Sequence, residues 1–205
     1  MLQADDTYMT IADNSQGIYK EKGSKFIALA YPAANEDEVK AILTGLRKEY
    51  HDARHHCYAY IIGAKKERWR MNDDGEPSGT AGRPIHGQIL SHNVTNILIV
   101  VVRYFGGTKL GVSGLINAYK TAAADALSQA KIVSKTVNDI YRVTFSFSAM
   151  NDLMRLIKEE NPEMLRQEYG NDCMVEFGIR QSRSRVVVSK LEKIESVNIT
   201  YLETV

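Results

Sequence analysis

Six consecutive apolar residues, Ile97-Leu98-Ile99-Val100-Val101-Val102, constrain the fold of this 205-residue chain more than any other feature. A strand that is apolar at every position has both faces covered, which places it at the centre of a sheet. The run is far too short to span a bilayer. Beyond its carboxyl end lies Arg103-Tyr104-Phe105-Gly106-Gly107-Thr108-Lys109-Leu110-Gly111-Val112-Ser113-Gly114, and then an alanine-rich stretch from Leu115 to Ala130. Leu115, Ala118, Ala122, Ala126 and Leu127 recur at helical spacing there, so the sheet acquires a tightly packed helix.

The flanking segments supply the rest of that sheet. Gly17 to Tyr31 reads as a hairpin turning at Gly23. Asn35 caps a helix with Glu36, Asp37 and Glu38 in its first turn and Val39, Ile42, Leu43 and Leu46 on its buried face. Strands follow at Cys57–Ile62 and Trp69–Met71, and a short helix at Ile85–Ser91. Between them Asp73 to Pro84 is dense in turn formers and acids, a long structured loop of the kind that carries function. After a linker at Lys135–Asn138, the chain reads as a strand at Ile140–Phe147, a helix at Met150–Glu160, and strands at Glu163–Tyr169 and Cys173–Ile179 around a turn at Gly170-Asn171-Asp172. A helix at Ser184–Ile194 and a strand at Val197–Leu202 complete a βαββαβ order, the split ferredoxin-like arrangement. The expected class is α+β, with one domain over residues 1–136 and a ferredoxin-like one over 137–205.

Charge limits the function classes. Lys and Arg number 26 against 25 Asp and Glu, a net of +1, which excludes nucleic-acid coating by bulk charge and polybasic membrane binding. The sum hides a split: through Val137 there are 17 basic and 14 acidic residues (+3), and from Asn138 onward 9 and 11 (−2). All five histidines lie in the first part. The start Met1 to Asp6 has no basic, apolar signal pattern, and Cys57 and Cys173 make no disulfide framework. A cytoplasmic protein without membrane contact is expected.

Familiar catalytic patterns fail by position. Gly106 and Gly111 are spaced like the outer glycines of a P-loop, but Val112-Ser113 stand where Lys and Ser/Thr are required. Ser113 lacks the second glycine of a nucleophile elbow, because Leu115 occupies it. Asp73 begins no EF-hand, since Ser78 replaces the turn glycine and Pro84 the bidentate Glu. His51 and His55 are four apart beside His56-Cys57, but a strand sends His56 and Cys57 to opposite faces, and no metal is assigned. Asp73, Asp74 and Glu76 suit either a hard cation or acid–base work, or the capping of turns. No catalytic residue is identifiable and no cofactor is expected.

The glycine-rich turn is the strongest chemical signal. Gly106, Gly107, Gly111 and Gly114 expose amides ahead of a helix, Thr108 lies among them, and Arg103 and Lys109 add two cations. Tyr104 and Phe105 either stack on a base or pack inward. The competing account is that the glycines serve tight helix-to-strand packing. Lys65, Lys66 and Arg68, in the stretch up to Arg70, would extend the basic surface.

Asp73-Asp74-Gly75-Glu76-Pro77-Ser78-Gly79-Thr80-Ala81-Gly82 and Arg103-Tyr104-Phe105-Gly106-Gly107-Thr108-Lys109-Leu110-Gly111 together closely resemble the signature of the IMPACT/YigZ family, and His56-Cys57-Tyr58-Ala59-Tyr60 also fits its pattern. The resemblance covers roughly residues 15 to 130, and the segment after it looks like the extra domain of bacterial members. Ser113 and Asn117 stand where Gly and Arg are expected, which lowers the cationic character of that helix start. The resemblance implies a first domain similar to the second domain of a small-subunit ribosomal protein and to domain IV of elongation factor G. It implies a second domain similar to domain V of that factor. Eukaryotic relatives act in translational control under amino-acid starvation by competing for an activator of an initiation-factor kinase, through another appended domain that this chain lacks. The expected partners are RNA or the ribosome, with a protein partner in translational control as an adaptor reading. The remaining alternative is a metal-dependent enzyme on a small phosphorylated substrate, with Asp73, Asp74 and Glu76 opposite Arg103.

Overall fold

The structure is a computed structural model in which residues 6–170 and 173–205 are described. Most of the Met1 to Asp6 segment, and Asn171 and Asp172 of the turn read at Gly170-Asn171-Asp172, lie outside the described residues. In chain order the first elements are β1 (Thr7–Ile11), β2 (Ser15–Glu21), β3 (Ser24–Pro32), α1 (Glu36–Glu49), β4 (His55–Ile62), β5 (Arg68–Asn72), α2 (Gly82–Ser91), β6 (Ile97–Tyr104), α3 (Gly111–Gln129) and β7 (Ile132–Thr136). They are followed by β8 (Asn138–Phe145), α4 (Met150–Glu160), β9 (Glu163–Glu168), β10 (Cys173–Arg180), α5 (Gln181–Leu191) and β11 (Val197–Thr204). The fold is α+β. No helix among the described residues is long and apolar enough to cross a membrane.

Residues 8–135 form one compact unit. Its five-stranded sheet has the order β2-β3-β6-β4-β5, so the apolar run does occupy the central strand, antiparallel to both neighbours. Successive side chains of a strand point to opposite faces. Ile97, Ile99 and Val101 accordingly join a core with Ile85 and Ile89 of α2 and Leu115, Ala122 and Ala126 of α3. Leu98, Val100 and Val102 join a second core with Val39 and Leu46 of α1. The α1 start is a reciprocal cap: Asn35 Oδ1 accepts from the Asp37 and Glu38 amides at 3.1 and 2.9 Å, and Glu38 Oε2 accepts from Ala34 N at 2.8 Å.

Several boundaries differ from the sequence reading, α5 by three residues at each end. Helix α3 begins at Gly111 rather than Leu115, because Gly-Val-Ser-Gly is a poor helix-forming start that the packing of the helix body overrides. Helix α2 takes in Gly82, Arg83 and Pro84, where proline is harmless in a first turn. Strands β1 and β7, unassigned from sequence, pair with each other in a separate two-stranded sheet. The expected linker reduces to Val137, which is buried with its amide donating to Asp6 O at 2.7 Å.

The second unit takes residues from Thr136 onward together with Asp6 and Thr7, so Asp6, Thr7 and Thr136, which the sequence reading places in 1–136, belong with the later residues. The reason is electrostatic: the Asp6 carboxylate accepts from Arg180 Nε and Nη2 at 2.9 and 2.7 Å and from Ser182 N at 3.0 Å. The sheet runs β11-β8-β10-β9, all antiparallel, with βαββαβ connectivity. Leu153, Leu156, Val187 and Leu191 of α4 and α5 cover Val143, Phe145, Val175 and Phe177. Strand β8 stops at Phe145, and Phe147, 79% exposed, begins a short 3₁₀ turn instead of ending the strand.

Candidate functional site

Arg103 has the parity of Ile97, Ile99 and Val101, so its side chain points into the α2/α3 side of the sheet. Its Nη1 donates to Glu76 Oε1 at 2.6 Å, and the two side chains are only 7% and 4% exposed. Tyr119 of α3 donates its hydroxyl to the same oxygen at 2.8 Å, and Cys57 of β4 donates to the Tyr119 hydroxyl at 3.3 Å and to Asp73 O at 3.0 Å. The guanidinium lies 5.4 Å from the Phe26 ring centroid and 5.6 Å from that of Phe105. Its Nε is buried without a partner. The assignment of Arg103 as a phosphate ligand is therefore corrected: its charge is engaged internally by Glu76. Burial pushes both the Cys57 thiol and the Tyr119 phenol up, so neither supplies an anion for catalysis.

The acidic loop is fixed rather than poised. Asp73 accepts from the amides of Gly79, Ala81 and Gly82 at 2.8, 3.0 and 2.8 Å, satisfying the start of α2. Burial opposes its ionisation, but these amides outweigh burial and hold its carboxyl below the ordinary value. Asp74 accepts from His56 N at 2.7 Å and from Arg47 at 3.4 Å. Asp73, Asp74 and Glu76 thus serve three different sets of donors, and no cluster of metal-ligating side chains occurs among the described residues.

The glycines divide into two kinds. A Cβ on Gly106 would lie 1.9 Å from Gly23 C, so this glycine permits backbone contact with the β2–β3 turn, and its amide donates to Ser24 Oγ at 3.1 Å. Gly107 and Gly111 have φ of +88° and +74° with nothing within 4 Å of a Cβ, so they shape the loop and leave its surface open. Gly114 faces Leu110, whose Cβ lies 3.0 Å from that of an added methyl. Helix α3 starts on Leu110 with no side-chain cap and no acid in its first turn. Exposed Thr108 and Lys109 precede it.

An open pocket of about 760 Å³ adjoins this helix start, lined among others by Arg54, His55, Phe105, Lys109 and Gly111. Arg54 was not singled out from sequence. Its signal is register: His55 pairs with Arg103, which brings the start of β4 beside the end of β6. Lys65, Lys66 and Arg68 do not join this site. They follow Ile62, at the end of β4 next to Ile97, and Lys66 Nζ donates to Asn93 Oδ1 at 2.6 Å. Ile97 and Arg103 are six strand steps apart, roughly 20 Å, so the continuous basic surface is corrected to two separate places.

The Impact N-terminal domain model matches residues 22–127, which contain the pocket, the Glu76–Arg103 pair and the start of α3. The chain belongs to the IMPACT family. The IMPACT family member YigZ of Escherichia coli (strain K12) is 34% identical over 150 residues, covering 72% of this chain and 74% of that one. The IMPACT family member YvyE of Bacillus subtilis (strain 168) is 26% identical over 204 residues, covering 96% and 94%. A crystal structure of a hypothetical protein superposes with a TM-score of 0.75 at 28% identity, covering 97% of this chain and 98% of that one. Both bacterial relatives extend the likeness beyond the amino-terminal IMPACT domain.

Proposed function

We propose that this IMPACT-family protein is a non-enzymatic, cytoplasmic RNA-contacting factor that acts on translation, holding backbone phosphate at the start of α3. One observation carries the reading. A 19-residue helix opens with no cap and no acid, on a positive-φ glycine with open space around it, beside exposed Lys109 and Arg54. Unsatisfied amides and the positive end of the helix dipole favour an anion there, and the two cations add attraction along a backbone. Phe105, 58% exposed, offers an aromatic ring on which a base can stack at the same mouth. The translational part of the reading comes from the family resemblance to a ribosomal protein and to elongation factor G. The alternative of a metal-dependent enzyme on a small phosphorylated substrate finds no support in the geometry, because its three acids are occupied by donors of the chain itself.

Cross-linking in cells, with nuclease treatment as the control, tests the reading. RNA should be recovered with the protein, and Arg54→Ala/Lys109→Ala should lower the yield without lowering the amount of folded protein. Recovery of one stoichiometric protein partner, insensitive to nuclease and to both substitutions, would overturn it.

A further inference from the structure

Strand β5 is the outermost strand of its sheet: β4 pairs with one edge, and no strand pairs with the other among the described residues. Its side chains sort by chemistry. Trp69 is opposite Ile61, on the face shared with α2, whereas Arg68 and Arg70 are opposite Ile62 and Tyr60, on the face shared with α1. Trp69 is 55% exposed, with its ring 5.1 Å from that of His86, and Leu90, one helical turn further along α2, is 47% exposed. Arg68 and Arg70 are exposed and form no ion pair among the described residues.

We propose that the free edge of β5 receives an extended protein segment in which acidic and apolar residues alternate, adding it as a sixth strand. The period of two in the incoming strand matches the period of two in β5: apolar side chains meet Trp69 and Leu90, and acids meet Arg68 and Arg70. Main-chain hydrogen bonds supply the attachment, and the alternating side chains supply selectivity. A second copy of the chain does not fit this edge, because pairing β5 with β5 sets arginine against arginine. Arginines alone would read as protection of an edge, but protection leaves the exposed tryptophan on the other face without a purpose. RNA fits less well. A base stacked on Trp69 would leave its phosphates on the side of the sheet away from both guanidinium groups.

The probe is a blocked heptapeptide alternating glutamate and valine. Trp69 is the only tryptophan in the chain, and the peptide has none, so intrinsic emission reports directly on this edge. The peptide should give a saturable blue shift as the indole loses water. Arg68→Glu/Arg70→Glu should weaken binding about tenfold, and the same variant should bind a lysine–valine heptapeptide in its place, which also shows that it is folded. The proposal is overturned by an unchanged emission up to millimolar peptide, or by equal binding of both peptides to the unsubstituted protein. An oligouridylate that shifts the emission with the same arginine dependence would overturn it too, assigning the edge to RNA. The α3 site is untouched by these substitutions, so failure here leaves the phosphate reading standing.

Discussion

The Glu76 carboxylate and the Arg103 guanidinium are both withdrawn from water, so each depends on the other for compensation. Removing one partner of such a pair leaves a buried uncompensated charge, which costs about 3–5 kcal/mol. Glu76→Gln should therefore lower stability by about 3 kcal/mol, and Glu76→Gln/Arg103→Met should lose clearly less than the sum of the single changes; urea denaturation of the four proteins measures the coupling. Additive losses would show that the pair is not coupled. Tyr119→Phe, which deletes the hydroxyl shared by Glu76 and Cys57, should cost about 1–3 kcal/mol by the same measurement. In sequence, Arg103 reads as a ligand by its place at the end of the central strand. Both faces of that strand are covered, so one more strand residue after Val102 is expected to be buried on either face, and that signal was within reach. Its partner Glu76 was not legible, because the two stand 27 positions apart with a loop, a helix and most of β6 between them. Tyr119 could be found, since it falls in the buried stripe with Leu115, Ala122 and Ala126.

At the scale of elements, the alanine stripe of α3 and the glycine of β2 belong to one contact. A Cβ on Gly17 would lie 2.2 Å from Ala126 N, against backbone that has no rotamer to move aside. Gly17→Ala should push β2 off α3 and cost about 1–3 kcal/mol or more, whereas Gly45→Ala, with nothing within 4 Å on the exposed face of α1, should be neutral or stabilising. Thermal denaturation of both variants separates packing from propensity, and equal melting temperatures would contradict the contact. The hairpin, the α1 cap, the central strand and the βαββαβ order were legible because each is written in local periodicity and turn chemistry. The pairing of β1 with β7 was not. Each is five residues long, and 120 residues lie between the end of one and the start of the other. The first turn of α3 was also hidden, because its four residues favour helix only when the rest of the helix is packed.

For the whole molecule, the net charge of +1 excludes binding by bulk charge, and the structure places the useful cations of the first unit at two ends of one sheet. Acid stability rests on two ion pairs within the second unit. Arg180 holds the Asp6 carboxyl well below its ordinary value of 3.8, and Lys190 holds that of Glu160 below 4.5. A folded value below the unfolded one means that the stabilisation is complete above the unfolded value and disappears as pH falls through the folded one. The urea midpoint should therefore be level from about pH 6 to 5 and drop below about pH 4, with a smaller drop in Asp6→Asn. A midpoint unchanged down to pH 2.5 would contradict this. The central claim, a phosphate contact at the start of α3, is tested most directly by titrating single-stranded RNA against the protein over a range of salt concentrations. The logarithm of the association constant should fall linearly with the logarithm of the salt concentration, and Arg54→Ala/Lys109→Ala should reduce the slope by about 1.4, some 0.7 for each phosphate no longer neutralised. An affinity independent of salt, or a slope identical in the double variant, would contradict it.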